Sequence, residues 1–225
     1  MNLSIIIPAL NEAEHIAQSL APLQLLRERG VEVIVVDGGS ADPTPSRAEP
    51  LVNRLVNSPK GRATQMNAGA AEAQGDVLLF LHADSILPSN PDLLIASAIE
   101  GGHVWGRFDV NICGAHLMLS VVAWFMNHRS RLTGVSTGDQ GLFVTKIAFD
   151  RVGGFPSQPL MEDVEICKRL RRLAPPACLS ARISTSGRRW EKHGVWRTIF
   201  LMWKLRFQYW QGASPTDLYA TYYGN

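Results

Sequence analysis

Three carboxylates close short apolar runs in the first half of the chain: Glu12 after 3–7, Asp37 after 32–36 and Asp84 after 77–81. An acid just past a buried run is placed to meet a cation, and a divalent cation on oxygen ligands is a common way to hold phosphates. The stretch Val77-Leu78-Leu79-Phe80-Leu81-His82-Ala83-Asp84-Ser85 is the sharpest case, because five apolar residues stop at a His-Ala-Asp triplet. Asp before a Pro-bearing segment is also ordinary turn chemistry, so this stretch alone leaves both uses of Asp84 open. Lys60 and Arg62 flank Gly61 at the start of an Ala-rich segment. Helix N-termini and cationic side chains both favour anions, so this loop is suited to grip a diphosphate, and a solvated loop would read the same. Gln65 and Asn67 follow one turn later, within reach of a base or ribose. In the second half, Glu162-Asp163 opens a helix. Two acids there suit the helix dipole, and equally suit a general base, with only one of the pair expected to face a pocket. Gly153-Gly154-Phe155-Pro156, just before, allows close backbone approach to a substrate. Arg188-Arg189-Trp190 with His193 joins an anion grip to a stacking face, and a surface turn also explains them. Gly38-Gly39-Ser40 lacks the spacing of a dinucleotide or P-loop motif and reads as a tight turn.

A scaffold must bring these groups together. Strand-like runs at 3–7, 32–36, 53–57 and 77–81 alternate with helical segments at 12–28, from 42 and at 64–73. The first helix has a capping-box-like start at Asn11 and Glu14, ends at Gly30, and carries Pro22, which should kink it or delay its start. Asp42-Pro43 reads as the start of a short helix. The alternation predicts an α/β fold with a Rossmann-like, mostly parallel central sheet flanked by helices. Parallel strands bring their carboxyl ends to one edge, so Glu12, Asp37 and Asp84 should converge there. Further on, 104–112 and 138–144 read as strands, and 117–127, 163–173 and 194–211 as helices. No repeat, linker or low-complexity tract interrupts the chain, so 1–225 is expected to form a single domain.

Composition narrows the class. The 225 residues are enough for one sizeable core, and 46% apolar content argues against disorder of the whole chain. A formal charge of +2 gives no case for a nucleic-acid partner. Cys113, Cys167 and Cys178 lie far apart, which suggests reduced thiols and a cytoplasmic setting. Strand-like sequence from residue 3, without a basic leader, predicts no signal peptide. The longest apolar runs, such as 117–126, fall short of the roughly 20 residues that cross a bilayer.

Taken in order, Ile6-Ile7-Pro8-Ala9-Leu10-Asn11-Glu12, Val36-Asp37-Gly38-Gly39-Ser40, His82-Ala83-Asp84, Gly153-Gly154-Phe155 and Glu162-Asp163 resemble the family 2 glycosyltransferases, which have the GT-A fold. Each motif is short, but five in the right order are specific. The block from Gly61-Arg62 to Gly69-Ala70, with Gly138-Asp139-Gln140, looks like a small bacterial subgroup. The resemblance implies an inverting, metal-assisted transfer of sugar from a nucleoside-diphosphate sugar to an acceptor hydroxyl. It implies a nucleotide pocket lined by Pro8, Ala9, Glu12 and Asp37 and flanked by Lys60, Arg62 and Asn67. His82-Ala83-Asp84 stands at the DXD motif, with Asp84 the ligand of Mg²⁺ or Mn²⁺. His82 replaces the first Asp, which puts that residue's usual ribose contact in doubt. Asp163 matches the catalytic base, with Glu162 beside it. Asp139, Gln140, Arg189 and Trp190 join the substrate-binding set, Arg189-Trp190 as a shortened relative of the Q-x-x-R-W motif of processive members. The nucleotide-sugar half would be about 1–100 and the acceptor and base half about 101–225.

Two other classes fit the residues. A nucleotidyltransferase would release pyrophosphate, and a nucleotide-sugar sensor would need no Asp163. The 194–211 helix is apolar over a wide face and rich in Trp and Phe, with Arg197, Lys204 and Arg206 interspersed. It is expected to pack on the sheet, to meet the inner face of a membrane where a lipid-linked acceptor would reside, or to form a homodimer.

Overall fold

The computed structural model describes residues 1–224, and every side chain among them except that of Arg189. Strands β1 (Leu3–Ala9), β2 (Glu32–Asp37), β3 (Arg54–Asn57) and β4 (Val77–Phe80) are parallel, in the order β3-β2-β1-β4. Their side chains alternate between two cores. Ile5, Ile7, Val33, Val35 and Leu79 face one side of the sheet, and Ile6, Ile34, Val36, Leu78 and Phe80 the other. Burial on both faces is why these strands read as continuous apolar runs. Each such side chain contributes roughly 1.5–3 kcal/mol of transfer free energy.

The sheet is completed by β5 (Ser85–Ile86), β6 (Trp105–Cys113), β7 (Leu142–Thr145) and β8 (Ala177–Ser186). β7 inserts between β4 and β6, antiparallel to both; β8 runs parallel to β6, and β5 pairs antiparallel with β8. The result is one mixed, mostly parallel sheet, as the sequence predicts, with its antiparallel pairings made by β7 and β5.

The helices depart from expectation in instructive places. Residues 12–28 do not form one helix. α1 (Ile16–Leu20) and α2 (Gln24–Glu28) are separated by a 3-10 turn around Pro22. Asn11 does not cap: it sits in the left-handed region at φ 54°, and its Oδ1 accepts the Ala41 N–H. α3 (Thr44–Ala48) and α4 (Arg62–Glu72) follow. α5 (Pro91–Glu100) has no counterpart among the elements read from the sequence. α6 (Met118–Thr133) runs past the expected 127 and stops at Gly134, left-handed at φ 63°. Residues 138–140 form a 3-10 turn rather than the start of a strand, held by Gln140 Oε1 accepting the Thr137 N–H. α7 (Lys146–Arg151), α8 (Glu162–Arg171), α9 (Arg188–His193), α10 (Val195–Trp210) and α11 (Pro215–Tyr223) complete the chain.

Candidate active site

The carboxyl ends of β1, β2 and β4 share one edge of the sheet, and the loops leaving them are sewn together by polar side chains. Asp37 accepts the Gly39 and Ser40 N–H groups at 3.0 and 2.9 Å, and the Ser40 hydroxyl as well. The Glu12 N–H donates to Thr44 Oγ1 at 2.8 Å, and the Ala13 N–H to Asp42 Oδ2 at 3.1 Å. Gln65 is buried and donates to the carbonyls of Ala9 and Val36, both at 2.8 Å, so its amide ties β1 to β2 instead of reaching a nucleotide. Asn67 is likewise engaged, bracketing the Phe155 backbone through Oδ1 at 2.9 Å and Nδ2 at 2.8 Å. It fixes the glycine loop at 153–154 against α4. Pro8, Ala9 and Ala83 line the strand ends, Ala9 and Ala83 as buried core residues, and Lys60 is exposed in the loop before α4.

Glu12 and Asp84 converge on one cation. Arg188 Nη2 lies 3.6 Å from Glu12 Oε2 and 3.7 Å from Asp84 Oδ2. Burial raises the Glu12 carboxyl above its ordinary value; Arg188 opposes this shift and Asp84 reinforces it. Among the described side chains, the arginine that meets both acids is Arg188. The Arg189 side chain lies outside the described residues. Trp190 packs against the core beside Val110, Ile112 and Leu119, which is ordinary use of an aromatic ring.

A second cluster lies across the end of β4. His82 Nδ1 is 3.2 Å from Asp139 Oδ1, and the neighbouring Gly138 N–H donates to Asp163 Oδ2 at 3.2 Å. A Cβ on Gly138 would collide with the His82 ring. Arg62 Nη1 stands 3.3 Å from Glu162 Oε1. Both Glu162 and Asp163 line the cleft, with Arg62, His82, Thr137 and Phe155, so the expectation that only one would face it is corrected. Their environments differ. Glu162 is buried and tied to Arg62, whereas Asp163 is partly exposed and held by backbone N–H groups of Gly138 and Val164. Burial raises the Glu162 carboxyl, against the pull of Arg62 and with the push of Asp163. Loss of solvent works against the charge on Arg62, but Glu162, Asp163 and Asp139 outweigh it and hold the guanidinium more firmly protonated. Asp139 is depressed despite its own desolvation, through the hydrogen bond and charge of His82 and the nearby Arg62. Gln140 is fully buried and braces α6, donating to Ser130 Oγ at 3.1 Å.

The turn into α8 is strained. Met161 sits in the left-handed region at φ 64°, uncommon for a residue of its bulk, and is buried against Leu205 and Leu218. The two C-terminal helices thus hold the backbone that presents Glu162 and Asp163. Two further arginines, Arg129 on α6 and Arg206 on α10, lie within electrostatic reach of Asp163. They were not singled out for this site from the sequence, although α6 and α10 contain no acid to neutralise them.

Residues 4–145 match the model of the glycosyl transferase family 2. An uncharacterized glycosyltransferase of Mycobacterium tuberculosis is 36% identical over 102 residues, 43% of this chain and 38% of that relative. A beta-monoglucosyldiacylglycerol synthase of Synechocystis is 26% identical over 216 residues, 80% of this chain and 43% of that relative. The chain spans less than half the length of these relatives. Among solved structures, Staphylococcus aureus TarS 1–349 in complex with UDP-GlcNAc superposes with a TM-score of 0.64 at 18% identity, covering 83% of this chain and 58% of that one. The glucosyl-3-phosphoglycerate synthase of M. tuberculosis, with Mn²⁺, UDP and phosphoglyceric acid, superposes with a TM-score of 0.60 at 20% identity, covering 82% and 69%. These likenesses establish the GT-A fold.

Proposed function

Because the chain belongs to glycosyltransferase family 2, we propose that it moves a sugar from a nucleoside-diphosphate sugar to an acceptor hydroxyl, inverting the anomeric centre, with Asp163 as general base. One observation carries this reading. The His82-Ala83-Asp84 segment of the first half touches the 138–139 turn of the second, and that turn holds Asp163. The donor-facing acids and the base then belong to one site, the donor half about 1–100 and the acceptor half about 101–225. The acceptor hydroxyl gives its proton to a carboxylate oxygen of Asp163 as its own oxygen bonds the anomeric carbon. On the opposite face the bond from that carbon to the diphosphate oxygen breaks, and the nucleoside diphosphate departs with the electron pair. Arg62 and Lys60 meet the charge that develops on the leaving group.

Glu12 and Asp84 suit a divalent cation, since two carboxylates already converge on the cationic Arg188. Hard oxygen donors are what Mg²⁺ and Mn²⁺ take. Among the described residues no group of three or more such ligands forms, so the donor phosphates would complete the shell. When bound there, the metal would neutralise charge on the diphosphate.

In this reading the acceptor lies at a lipid surface. Trp196, Phe200, Trp203, Phe207 and Trp210 of α10 are each 56–79% exposed, a spacing that puts them on one helical stripe. The helix also carries Arg197 and Lys204, the pairing of rings and cations that interfacial helices use. Among the described residues no helix is long and apolar enough to cross a membrane. The relative that makes a glucosyldiacylglycerol supports the same choice.

The test is product analysis with a panel of nucleotide sugars. Release of nucleoside diphosphate, with inverted anomeric configuration by NMR, is expected. Pyrophosphate would instead indicate a nucleotidyltransferase, and binding without turnover a sensor. Asp163→Asn should lower turnover by about two to four orders of magnitude while nucleotide binding survives.

A further inference from the structure

Arg129 and Arg206 lie within electrostatic reach of Asp163, and Arg206 also of Asp139, without contacting either carboxylate among the described residues. Neither guanidinium makes an ion pair or hydrogen bond among the described residues, and Arg129 Nη2 is buried with no acceptor. The nearby acids are engaged elsewhere: Glu162 with Arg62, Asp139 with His82, and Asp163 with the Gly138 N–H. The fold delivers both arginines to the first turn of α8. On α6, Asn127 and Ser130 flank Arg129 and hold Gln140, two residues from Gly138. On α10, Leu205 is buried against Met161, and Tyr209 reaches Glu165 at 3.4 Å, with Arg206 between them. α6 and α10 pack together through Val122, Ala123, Val195 and Ile199. Both arginines feel the Asp163 carboxylate, and Arg206 repels Arg129. Burial, and then the repulsion from Arg206, push Arg129 down to about 10 against the pull of Asp163.

Paired guanidiniums beside a catalytic acid are the arrangement that takes an oxyanion, because each planar fork can donate two parallel hydrogen bonds. Two positive charges match the dianion of a phosphomonoester better than a single carboxylate. We propose that Arg129 and Arg206 form an anion subsite on the acceptor side of Asp163, and that the acceptor carries a phosphate near the hydroxyl that receives the sugar. The subsite orients that hydroxyl toward Asp163, so its role in transfer rests on the proposed glycosyltransfer, while its ability to bind phosphate does not.

Equilibrium titration with glycerol 3-phosphate, with glycerol as control, tests it directly. The wild type should bind the ester and not glycerol, and Arg129→Gln or Arg206→Gln should each weaken binding at least tenfold. UDP and GDP affinities should stay unchanged. A purely structural role would lower the melting temperature of these variants, whereas removing one of two repelling charges should leave it equal or higher. Vesicles separate the sources of phosphate. Retention on phosphatidic acid vesicles that is weakened in both variants and competed by excess soluble ester assigns a lipid headgroup; soluble-ester binding without such retention assigns a free phosphate. Phosphate affinity equal in wild type and both variants, or no phosphate binding in either form, would overturn the subsite. Failure of sugar transfer with phosphate binding intact would instead count against the glycosyltransfer reading.

Discussion

Two adjacent acids at the cleft differ in what surrounds them. Asp163 is partly exposed, while Glu162 is buried beside Arg62. Burial, chiefly, makes Glu162 harder to ionise in the folded state than in the unfolded chain. Such a group lowers stability as pH climbs from its unfolded to its folded pKa. Glu162→Gln removes that loss, so the difference in melting temperature should shift in the variant's favour as pH rises above the ordinary carboxylate range. Thermal unfolding of both proteins over that rise in pH checks it; a shift toward wild type would show that the Arg62 pair outweighs the burial. The acids were legible in the sequence because each ends an apolar run or opens a helix. Gln140 and Trp190 were less so, since the residue types that bind substrates also brace cores. That Arg188 meets Glu12 and Asp84 depends on where α9 begins, which the sequence does not mark.

At the scale of elements, α4 must lie close to the sheet for Arg62 and Asn67 to reach their partners. Gly69 makes that approach: a Cβ there would stand 2.5 Å from Ile6 Cγ2 and 2.9 Å from Val36 Cγ2. Overpacking of this kind costs about 1–3 kcal/mol, more than the roughly 0.5–1 kcal/mol that Ala gains in a helix. Gly69→Ala should therefore lower the denaturation midpoint, measured by chemical unfolding. α10 poses the opposite question, since its aromatic stripe faces outward. Its width in sequence predicted packing on the sheet first, yet only Val195, Thr198 and Leu205 are buried. Wild type should co-sediment with anionic liposomes, and replacing Trp203 and Phe207 with Ser should abolish this in a folded variant. A concentration-dependent dimer that the same substitutions dissolve would assign the stripe to a second copy instead. The strands of the first half were legible because burial on both faces leaves a long apolar run. The interruption at Pro22 was legible too, because Pro lacks the N–H that a helix interior needs; the role of Asn11 was not, because a tertiary bond, the Ala41 N–H to Asn11 Oδ1, takes the side chain away from a cap.

Across the whole molecule, the parallel strands collect Glu12, Asp37 and Asp84 at one edge, and the antiparallel insertion of β7 brings the second half against it. Alternation in sequence predicted the first arrangement. The second depends on long-range pairing, Leu78 with Val144 and Gly106 with Phe143, that no local pattern encodes. If the edge serves a metal-bridged diphosphate, Asp84→Ala should abolish metal-dependent binding of nucleoside diphosphates in a thermal-shift assay. Binding that survives a chelator in the wild type would remove Asp84 from that role.

Arg188, between Glu12 and Asp84, has a consequence for the order of events. A side chain tethered beside two carboxylates is an internal competitor at a fixed, high local concentration. A free divalent ion would have to displace it without compensation, whereas an ion arriving with a diphosphate gives the released guanidinium a new anion to hold. If Glu12 and Asp84 hold the metal as proposed, Arg188 would turn a simple chelating pair into an exchange site, one that favours the metal and its nucleotide as a joint cargo over either alone.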